Sequence, residues 1–393
     1  MNSLGAVIQS AWIKPVMLSV IIVLLGPLVI GYISLLERKV LADFQVRYGP
    51  MRVGPRGLLQ PLADGLKFIL KEDIVPDNAE KQLFLIAPIF SVFAALLGFT
   101  MLPFGEHLFV ADVNIGLLII ASVSALGILG IIVGGWASNS HYPLLGALRS
   151  AAQLVSYEVA LGLGLLAGAM VSGTLSLRSI VEAQRERQLW FLFSNYGAMA
   201  LSFAVYFIAS VAETNRSPFD LPEAESELVA GYHTEFSGFR FALYMLAEWA
   251  NILVVSSVAV TLFLGGWLRP FPNVPWLAIP LDIVFPLALF AGIAVYCVNL
   301  SRGSHFRYES AILIGLGALF AVAGLAFLVP PLRPSLDALF WFFFKLSVFV
   351  YVVIWLRATL PRVRYDQLMN FGWKWLIPLG LVGVALNAVL GML

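Results

Sequence analysis

Ten apolar stretches divide this chain, and each is long enough to cross a lipid bilayer. A helix needs about 20 apolar residues to span roughly 30 Å of hydrocarbon. The predicted spans are 15–36, 83–104, 114–136, 153–173, 189–211, 242–267, 279–300, 311–330, 336–356 and 375–392. The segments between them are too short to form a separate soluble domain. The pattern therefore predicts an all-α, polytopic integral membrane protein, with residues 1–393 in a single membrane domain.

Basic residues are unequally distributed between the two sides of the predicted bundle. If loop 37–82 faces the cytoplasm, the loops on that side contain 17 lysines and arginines, whereas the opposite side contains 6. Cytoplasmic loops of membrane proteins carry the excess of positive charge. The sequence therefore predicts that both termini face the outer, periplasmic side and that loop 212–241 faces the cytoplasm.

Loop 212–241 is unusually acidic for a segment between two apolar spans. Its carboxylates, with one more that follows early in the sixth span, are Glu213, Asp220, Glu223, Glu225, Glu227, Glu235 and Glu248. Carboxylates beside hydrocarbon are costly, and in membrane proteins such residues commonly carry ions or protons. The alternative interpretation is an ordinary solvated loop whose carboxylates pair with Arg216 and Arg240.

The fourth predicted span contains one carboxylate and a pair of closely spaced glycines. Glu158 lies near the cytoplasmic end of this span. We expect it either to exchange protons or to be a hydrogen-bonded residue in the helix packing. Gly164 and Gly168 have the spacing of small residues that allow two membrane helices to approach closely.

Loop 37–82 follows the first span and contains turns and an amphipathic stretch. Gly49-Pro50 and Gly54-Pro55 mark the turns. Beyond them Asp64, Lys67 and Lys71 lie on one side of a predicted helix, opposite an apolar face. The apolar face consists of Leu58, Leu62, Leu66, Ile69 and Leu70. This pattern predicts an amphipathic helix in the membrane interface; a loop that only fixes the topology is the alternative.

Composition limits the chemistry that the chain can perform by itself. Only 12% of its residues are charged, whereas soluble domains have about 25%. Cys297 is the single cysteine, which excludes an iron–sulfur cluster held by cysteines of this chain alone. The four histidines lack metal-ligand spacing. We therefore expect no metal site and no catalytic residue in the strict sense, and any electron carriers would belong to partners.

Four segments on the predicted cytoplasmic side carry a family resemblance. They read ERKVLADFQVRYGPMRVGPRGLLQPLADGLKFILKE, SAAQLVSYEVALGL, AETNRSPFDLPEAESELVAGYHTEFSGFRFALYMLAEW and WLRATLPRVRYDQLM. Together they resemble the H-subunit family (also called the subunit 1 family) of respiratory complex I, the proton-pumping NADH–quinone oxidoreductase. The resemblance implies a membrane component of that enzyme in the energy-coupling membrane, which for a bacterium is the inner membrane.

The resemblance also implies partners and a substrate. The partners would be the quinone-reducing subunits of the hydrophilic arm, the antiporter-like membrane subunits and the lipid bilayer, with no nucleic acid. Flavin and iron–sulfur clusters would be bound by partner subunits, and this chain alone would bind no cofactor. Its substrate would be a quinone, either ubiquinone or menaquinone.

Roles for particular residues follow from the same motifs. In that family the cytoplasmic loops and the first and sixth spans help to form the chamber that quinone enters. The residues that would line or border this chamber are Glu37, Arg38, Glu213, Arg216, Asp220, Glu223, Glu225 and Glu227. A proton path from the chamber toward the pumping subunits would pass through Glu158, Glu213 and Glu248.

The chain departs from the family pattern in three places. Ala224 stands where a glycine is usual, and Gly231-Tyr232-His233 replaces a more usual aromatic–asparagine pair. A histidine beside the acidic loop adds a group that titrates near neutral pH. The family core has eight spans, so the two additional ones predict an inserted helical hairpin at 279–330.

Two other functions agree with a polytopic membrane protein. One is the membrane anchor of an energy-converting hydrogenase or a related ferredoxin-linked complex, for which we expect a looser match to the long motifs. The other is a stand-alone ion or solute transporter. A transporter predicts inverted internal repeats and broken helices at the midplane, and the sequence shows no such repeat.

Overall fold

The computed structural model describes residues 13–221, 229–303 and 307–392, and in these ranges the regular structure is helical. The α-helices are α1 (Ile13–Phe44), α2 (Gln60–Leu70), α3 (Lys81–Thr100), α4 (Gly116–Ala137), α5 (His141–Ser172), α6 (Leu177–Glu186), α7 (Ala198–Glu213), α8 (Gly238–Phe263), α9 (Phe285–Arg302), α10 (Arg307–Ala326), α11 (Arg333–Thr359), α12 (Tyr365–Phe371) and α13 (Ile377–Leu390). Across the described ranges, ten helical segments are long and apolar enough to cross a membrane. The all-α class and the predicted number of spans are thus confirmed.

Two helices extend well beyond the spans predicted from hydropathy. Helix α1 continues past residue 36 to Phe44, and α5 begins at His141 rather than near residue 153. Hydropathy detects the length that hydrocarbon requires, whereas backbone hydrogen bonding continues a helix into the polar region. The start of the predicted loop 37–82 is therefore helical, and Glu37 and Arg38 lie on α1.

The centre of the bundle is formed by α8 and α5. Helix α8 is the most buried of the candidate spans and packs against α3, α7 and α11, whereas α1 is the least buried. Helix α5 packs against α4, α7 and α13. Tyr157 on α5, Tyr206 on α7 and Phe263 on α8 are fully buried where these helices meet. Polar residues on α5 and α8 therefore lie next to the protein interior rather than next to lipid.

The predicted close approach of helices at Gly164 and Gly168 is confirmed. A Cβ atom added to Gly164 would lie 2.8 Å from Cβ of Tyr206 on α7. One added to Gly168 would lie 2.5 Å from the side chain of Leu262 on α8. The two glycines therefore allow α5 to pack closely against two neighbours, as small residues do in membrane bundles.

A buried lysine in α11 has a structural explanation. The ammonium group of Lys345 donates hydrogen bonds to the carbonyl oxygens of Leu264 and Leu268, at 2.6 and 2.8 Å. Both carbonyls lie just beyond the end of α8, where helices leave backbone acceptors without a partner in the helix. Lys345 also lies over the ring of Trp190, at 4.9 Å from its centroid. The residue thus connects α11 to the end of α8.

Helices α9 and α10 form a hairpin at the edge of the bundle. They pack mainly on each other, and their surfaces are largely exposed. An aromatic cluster that includes Phe285, Phe327 and Phe340 attaches them to α11. A 3.3 Å ion pair between Arg269 and Asp282 adds a polar contact. That this hairpin at 279–330 is an insertion into an eight-span core remains a prediction.

The amphipathic stretch of the first loop is a helix. Helix α2 has no residue fully buried, and Leu66, Ile69 and Leu70 are exposed on its apolar face. Its placement in the membrane interface remains a prediction. Asp64 attaches α2 to α1 through a 2.8 Å ion pair with Arg38. Burial acts to raise the pKa of Asp64, but a hydrogen bond from Gln60 and the Arg38 charge outweigh it, so the pKa lies below its usual value.

Candidate functional site

A buried arginine joins two carboxylates from different helices. Arg216, in the segment after α7, is 8% exposed. One of its terminal nitrogens lies 3.6 Å from Glu37 of α1, and the other lies 3.7 Å from Glu248 of α8. Its guanidinium group also lies over the ring of Trp249, at 4.4 Å from the centroid. A planar cation with two outer nitrogens is suited to a position between two carboxylates.

Glu37 connects both α1, on which it lies, and α11 to this cluster. Its side chain is buried, although Leu36 before it is exposed and Arg38 after it is half exposed. Arg357, in the last turn of α11, donates a hydrogen bond to the Glu37 carboxylate. Two arginines thus contact one buried carboxylate, whose charge needs such a partner to be stable inside the protein.

Glu248 has two further partners from the turn that precedes α8. The hydroxyl of Tyr232 donates a hydrogen bond to one carboxylate oxygen at 2.9 Å. The Nε2 atom of His233 lies 3.5 Å from the same oxygen. Tyr232 and His233 are both buried. Glu248 is therefore held by a cation on one side and by two aromatic polar groups on the other.

The segment 214–221 is held from two sides, and this fixes Arg216. Gln153 of α5 donates hydrogen bonds of 2.8 Å to the carbonyl oxygens of Ala212 and Phe219. On the other side, Arg362 forms a 3.0 Å ion pair with Asp220. The backbone N–H of Val363 donates to the carbonyl of Pro218 at 3.0 Å. A segment that lies outside the helices is thus held in place by α5 and by the residues after α11.

A polar cavity lies between Glu213 and Glu248. It has a volume of about 40 Å³ and is lined by residues of α3, α4, α5, α7 and α8, including Ser91, Ser124 and Asn251. Ser124 lies against the Glu213 carboxylate. The buried hydroxyl of Ser91 has no hydrogen-bond partner within the part of the protein that the structure describes. A cavity of this size with several polar atoms has room for more than one water molecule. It connects the two glutamates, both of which line it.

Sequence comparison decides which family this bundle represents. Residues 16–388 match the family model described as NADH dehydrogenase. The chain belongs to this NADH dehydrogenase family. It is 58% identical over 379 residues to the NADH-quinone oxidoreductase H-subunit 2 of Solibacter usitatus, with 96% of each chain covered.

Other relatives carry the same designation. The NADH-quinone oxidoreductase H-subunit 1 of Koribacter versatilis is 48% identical over 374 residues, which cover 91% of this chain and 87% of the relative. The corresponding H-subunit of Protochlamydia amoebophila is 41% identical over 367 residues, which cover 91% of each. The resemblance inferred from the four cytoplasmic motifs is thus confirmed.

Within this NADH dehydrogenase bundle, the structure brings several predicted residues together. Glu37, Arg216 and Glu248 share one ion cluster, while Glu213 meets Glu248 across the cavity. Glu158, on α5, is partly buried and interacts electrostatically with Glu213. These contacts connect residues from the predicted chamber with residues from the predicted proton path.

Other predicted site residues lie apart from the ion cluster or outside the residues that the structure describes. Arg38 pairs with Asp64 of α2, and Asp220 pairs with Arg362. Glu223, Glu225 and Glu227 lie outside the described residues.

The alternative interpretation of loop 212–241 expected a solvated segment whose carboxylates pair with Arg216 and Arg240. Arg216 is instead buried, and its partners among the described residues include glutamates of α1 and α8. Arg240 pairs with Asp73, which belongs to the first loop, at 3.1 Å. The two arginines thus connect the acidic segment to other parts of the chain.

Three residues in the site were not predicted from the sequence. Arg357 belongs to a basic cluster at a helix end, a pattern typical of anchoring or of attraction to anionic groups, yet it contacts Glu37. Tyr232 hydrogen-bonds Glu248, and Gln153 fixes the segment around Arg216. Gln153 lies in the fourth predicted span, a little more than one turn before Glu158. A glutamine in an apolar span is the one sequence signal here for a polar contact inside the bundle.

Proposed function

We propose that this chain is the quinone-site membrane subunit of a proton-pumping NADH–quinone oxidoreductase. Its membership of the NADH dehydrogenase family and the names of its relatives establish the enzyme complex to which such chains belong. The finer proposal is that the segments around Glu37 and Arg216 border the quinone chamber. Glu158, Glu213 and Glu248 then carry the protonation change away from it.

The observation that carries this proposal is the position of Arg216 between Glu37 and Glu248. Its two outer nitrogens lie 3.6 and 3.7 Å from the two carboxylates. A change of charge on the chamber side of Arg216 therefore acts on Glu248 through a single shared cation. At an effective dielectric constant near 20, two unit charges at such a distance interact with an energy of about 4 to 5 kcal/mol. An interaction of this size lets a change of charge beside Glu37 alter how strongly Arg216 interacts with Glu248.

An apolar cleft beside this cluster supports a lipophilic substrate. The cleft has a volume of about 510 Å³ and lies between α1, α3, α8 and α11. Leu36 and Ile33 of α1 and Leu246 of α8 are among its lining residues. Ile33 lies four residues before Glu37 and therefore on the same face of α1, so the apolar surface of the cleft leads toward the buried charge. A quinone needs both, since its tail requires hydrocarbon and its ring requires polar contacts.

The proposed mechanism is indirect, and the residues of this chain move charge and protons rather than electrons. Electrons would arrive from an iron–sulfur cluster of a partner subunit, and reduction of the quinone consumes two protons. The altered charge in the chamber shifts Arg216 between Glu37 and Glu248. Glu248 and Glu213 then exchange protons across the polar cavity, and Glu158 continues the path. The change in charge can shift the equilibrium between the two positions of Arg216 only by the difference in its interaction energy with them.

The proposed partners and location follow from the same assignment. We place the chain in the bacterial inner membrane, with both termini on the periplasmic side. Its basic and acidic loops then face the subunits of the hydrophilic arm, which bind the flavin and the iron–sulfur clusters. The antiporter-like subunits would receive the proton path. The names of the relatives favour this arrangement over the membrane anchor of a hydrogenase-type complex.

Two glutamine substitutions test this proposal in the assembled complex. Glu213→Gln and Glu227→Gln keep the side-chain size but remove the titrating proton. Since a positioned acid–base group contributes at least about a hundredfold, inhibitor-sensitive electron transfer from donor to quinone should fall strongly in both variants. Glu182→Gln is the matched control, because Glu182 forms an exposed ion pair with Arg178 on α6.

The amounts of assembled complex should be equal in all three variants, as measured on native gels. Full activity in both Glu213→Gln and Glu227→Gln would remove these residues from the mechanism. Equal losses in the Glu182→Gln control would show that the assay reports folding rather than proton transfer.

A further inference from the structure

A buried histidine lies against the carboxylate that shares Arg216. His233 ends a short 3₁₀ turn, Gly231–His233, just before α8. It is 3% exposed, and its Nε2 atom lies 3.5 Å from Glu248. The rings of Tyr232 and Tyr244 lie against it, at 3.9 and 5.4 Å between centroids. An imidazole held in this way is fixed in orientation toward the carboxylate.

Arg216 and His233 approach Glu248 from different oxygens. Arg216 faces Oε2, and His233 faces Oε1. Arg216 is also almost equally distant from Glu37. When His233 is neutral, Arg216 is the positively charged partner of Glu248, and the imidazole contributes no net charge. When His233 is charged, Glu248 is compensated without Arg216, and the arginine can then pair fully with Glu37.

We propose that His233 is a proton-binding positioning residue that decides which of the two carboxylates Arg216 holds. This inference rests on the proposed function. The step is the uptake of one proton by the imidazole, with no other bond formed or broken. Release of that proton returns Arg216 to Glu248. His233 thus makes the connection between the chamber side and the proton path sensitive to pH.

Among the residues that the structure describes, the groups around His233 come from its own turn and from three helices. Helix α8 presents Tyr244 and Glu248, and the turn itself presents Tyr232. Helix α5 approaches the turn at Gly146, and the charged residue nearest to that point along the helix is Arg149. Helix α4, which also contacts the turn, has no charged residue. Within the described ranges, Glu248 is an acidic group that lies against the imidazole.

The pH profile of quinone reduction in the assembled complex tests this role. His233→Asn and His233→Gln keep a polar side chain but cannot titrate, and His141→Asn is the control for an exposed histidine. The turnover number and KM for a short-chain quinone are measured separately between about pH 5.5 and 8.5, the range in which an imidazole changes charge.

The expected result is a difference that depends on pH. Near pH 8.5 the two His233 variants should match the wild-type complex. Near pH 6 their turnover should be lower by about tenfold, the factor that loss of about 1.4 kcal/mol of interaction between the charged imidazole and Glu248 implies. Profiles parallel to wild type at every pH, whether at full or reduced activity, would overturn the proposal, because a purely structural contact would act at every pH alike.

Failure of this inference is distinguishable from failure of the proposed function. Loss of activity in Glu213→Gln with a parallel profile in the His233 variants would overturn only the role of His233. Full activity in Glu213→Gln would count against the proposed function itself. A pH-dependent difference restricted to the His233 variants, with His141→Asn unchanged, supports the proposal.

Discussion

Replacement of Arg216 should be the most damaging single change in the charged loop. Each of its two carboxylate contacts, at 3.6 and 3.7 Å, corresponds to an attraction of about 4 to 5 kcal/mol at an effective dielectric constant near 20. Desolvation of the charges offsets part of this attraction. Loss of one partner from a buried ion pair typically costs about 3–5 kcal/mol, because the remaining charge stays buried.

Two substitutions separate charge from shape at this position. Arg216→Gln removes the cation that the two carboxylates share. We expect the rate-limiting step to lose about 3 kcal/mol of this attraction, which corresponds to a fall in donor-to-quinone turnover of about a hundredfold or more. Arg216→Lys keeps the charge but cannot reach both carboxylates with a planar fork, so its turnover should be intermediate. The assay is inhibitor-sensitive quinone reduction, normalised to the amount of assembled complex.

Arg240→Gln is the matched control, because Arg240 belongs to the same loop but pairs with Asp73 away from the cluster. Its turnover should remain close to that of the wild-type complex. Wild-type turnover in an assembled Arg216→Gln complex would refute the reasoning, since it would show that the two buried carboxylates do not depend on their shared cation.

Three further predictions concern the scaffold. Gly164→Ala should lower the melting temperature of the purified complex, because overpacking against Tyr206 costs about 1–3 kcal/mol, whereas Gly162→Ala, with open space around it, should not. Because the pKa of Asp64 is lowered, its stabilisation of α2 should be complete above about pH 4 and lost below it. The mobility of α2 can be measured with a spin label attached at Leu66→Cys. Asp64→Asn should increase this mobility at neutral pH but not in acid. Deletion of 279–330 should reduce the yield of assembled complex but spare quinone binding, since the hairpin lies at the edge of the bundle. Quinone binding is measured by inhibitor titration. Loss of binding in an assembled complex would place the hairpin in the site.

The transmembrane architecture could be predicted from sequence because it depends on length and polarity alone. A run of about 20 apolar residues is a nearly sufficient condition for a spanning helix, and the structure has ten such helices in the described ranges. The helix ends could not be predicted in the same way. Backbone hydrogen bonding carried α1 to Phe44, into residues that hydropathy assigns to a loop.

The pairing of charges depends on helix geometry and on contacts distant in sequence. Glu37 and Arg38 are neighbours in the sequence, but consecutive residues point about 100° apart on a helix. Glu37 therefore enters the cluster, whereas Arg38 reaches Asp64 on α2. Arg357 meets Glu37 across 320 residues of sequence. No local pattern encodes such a contact, since it forms only when α1 and α11 pack together.

Purification of the tagged protein from its native membranes in mild detergent tests the central claim most directly. The associated subunits would be identified by mass spectrometry, and the same sample assayed for electron transfer from NADH to quinone. We predict recovery with flavin-, iron–sulfur- and antiporter-like subunits and with inhibitor-sensitive NADH–quinone activity. Recovery with a nickel–iron hydrogenase, or as a lone polypeptide with transport activity, would contradict the assignment to a quinone-reducing complex.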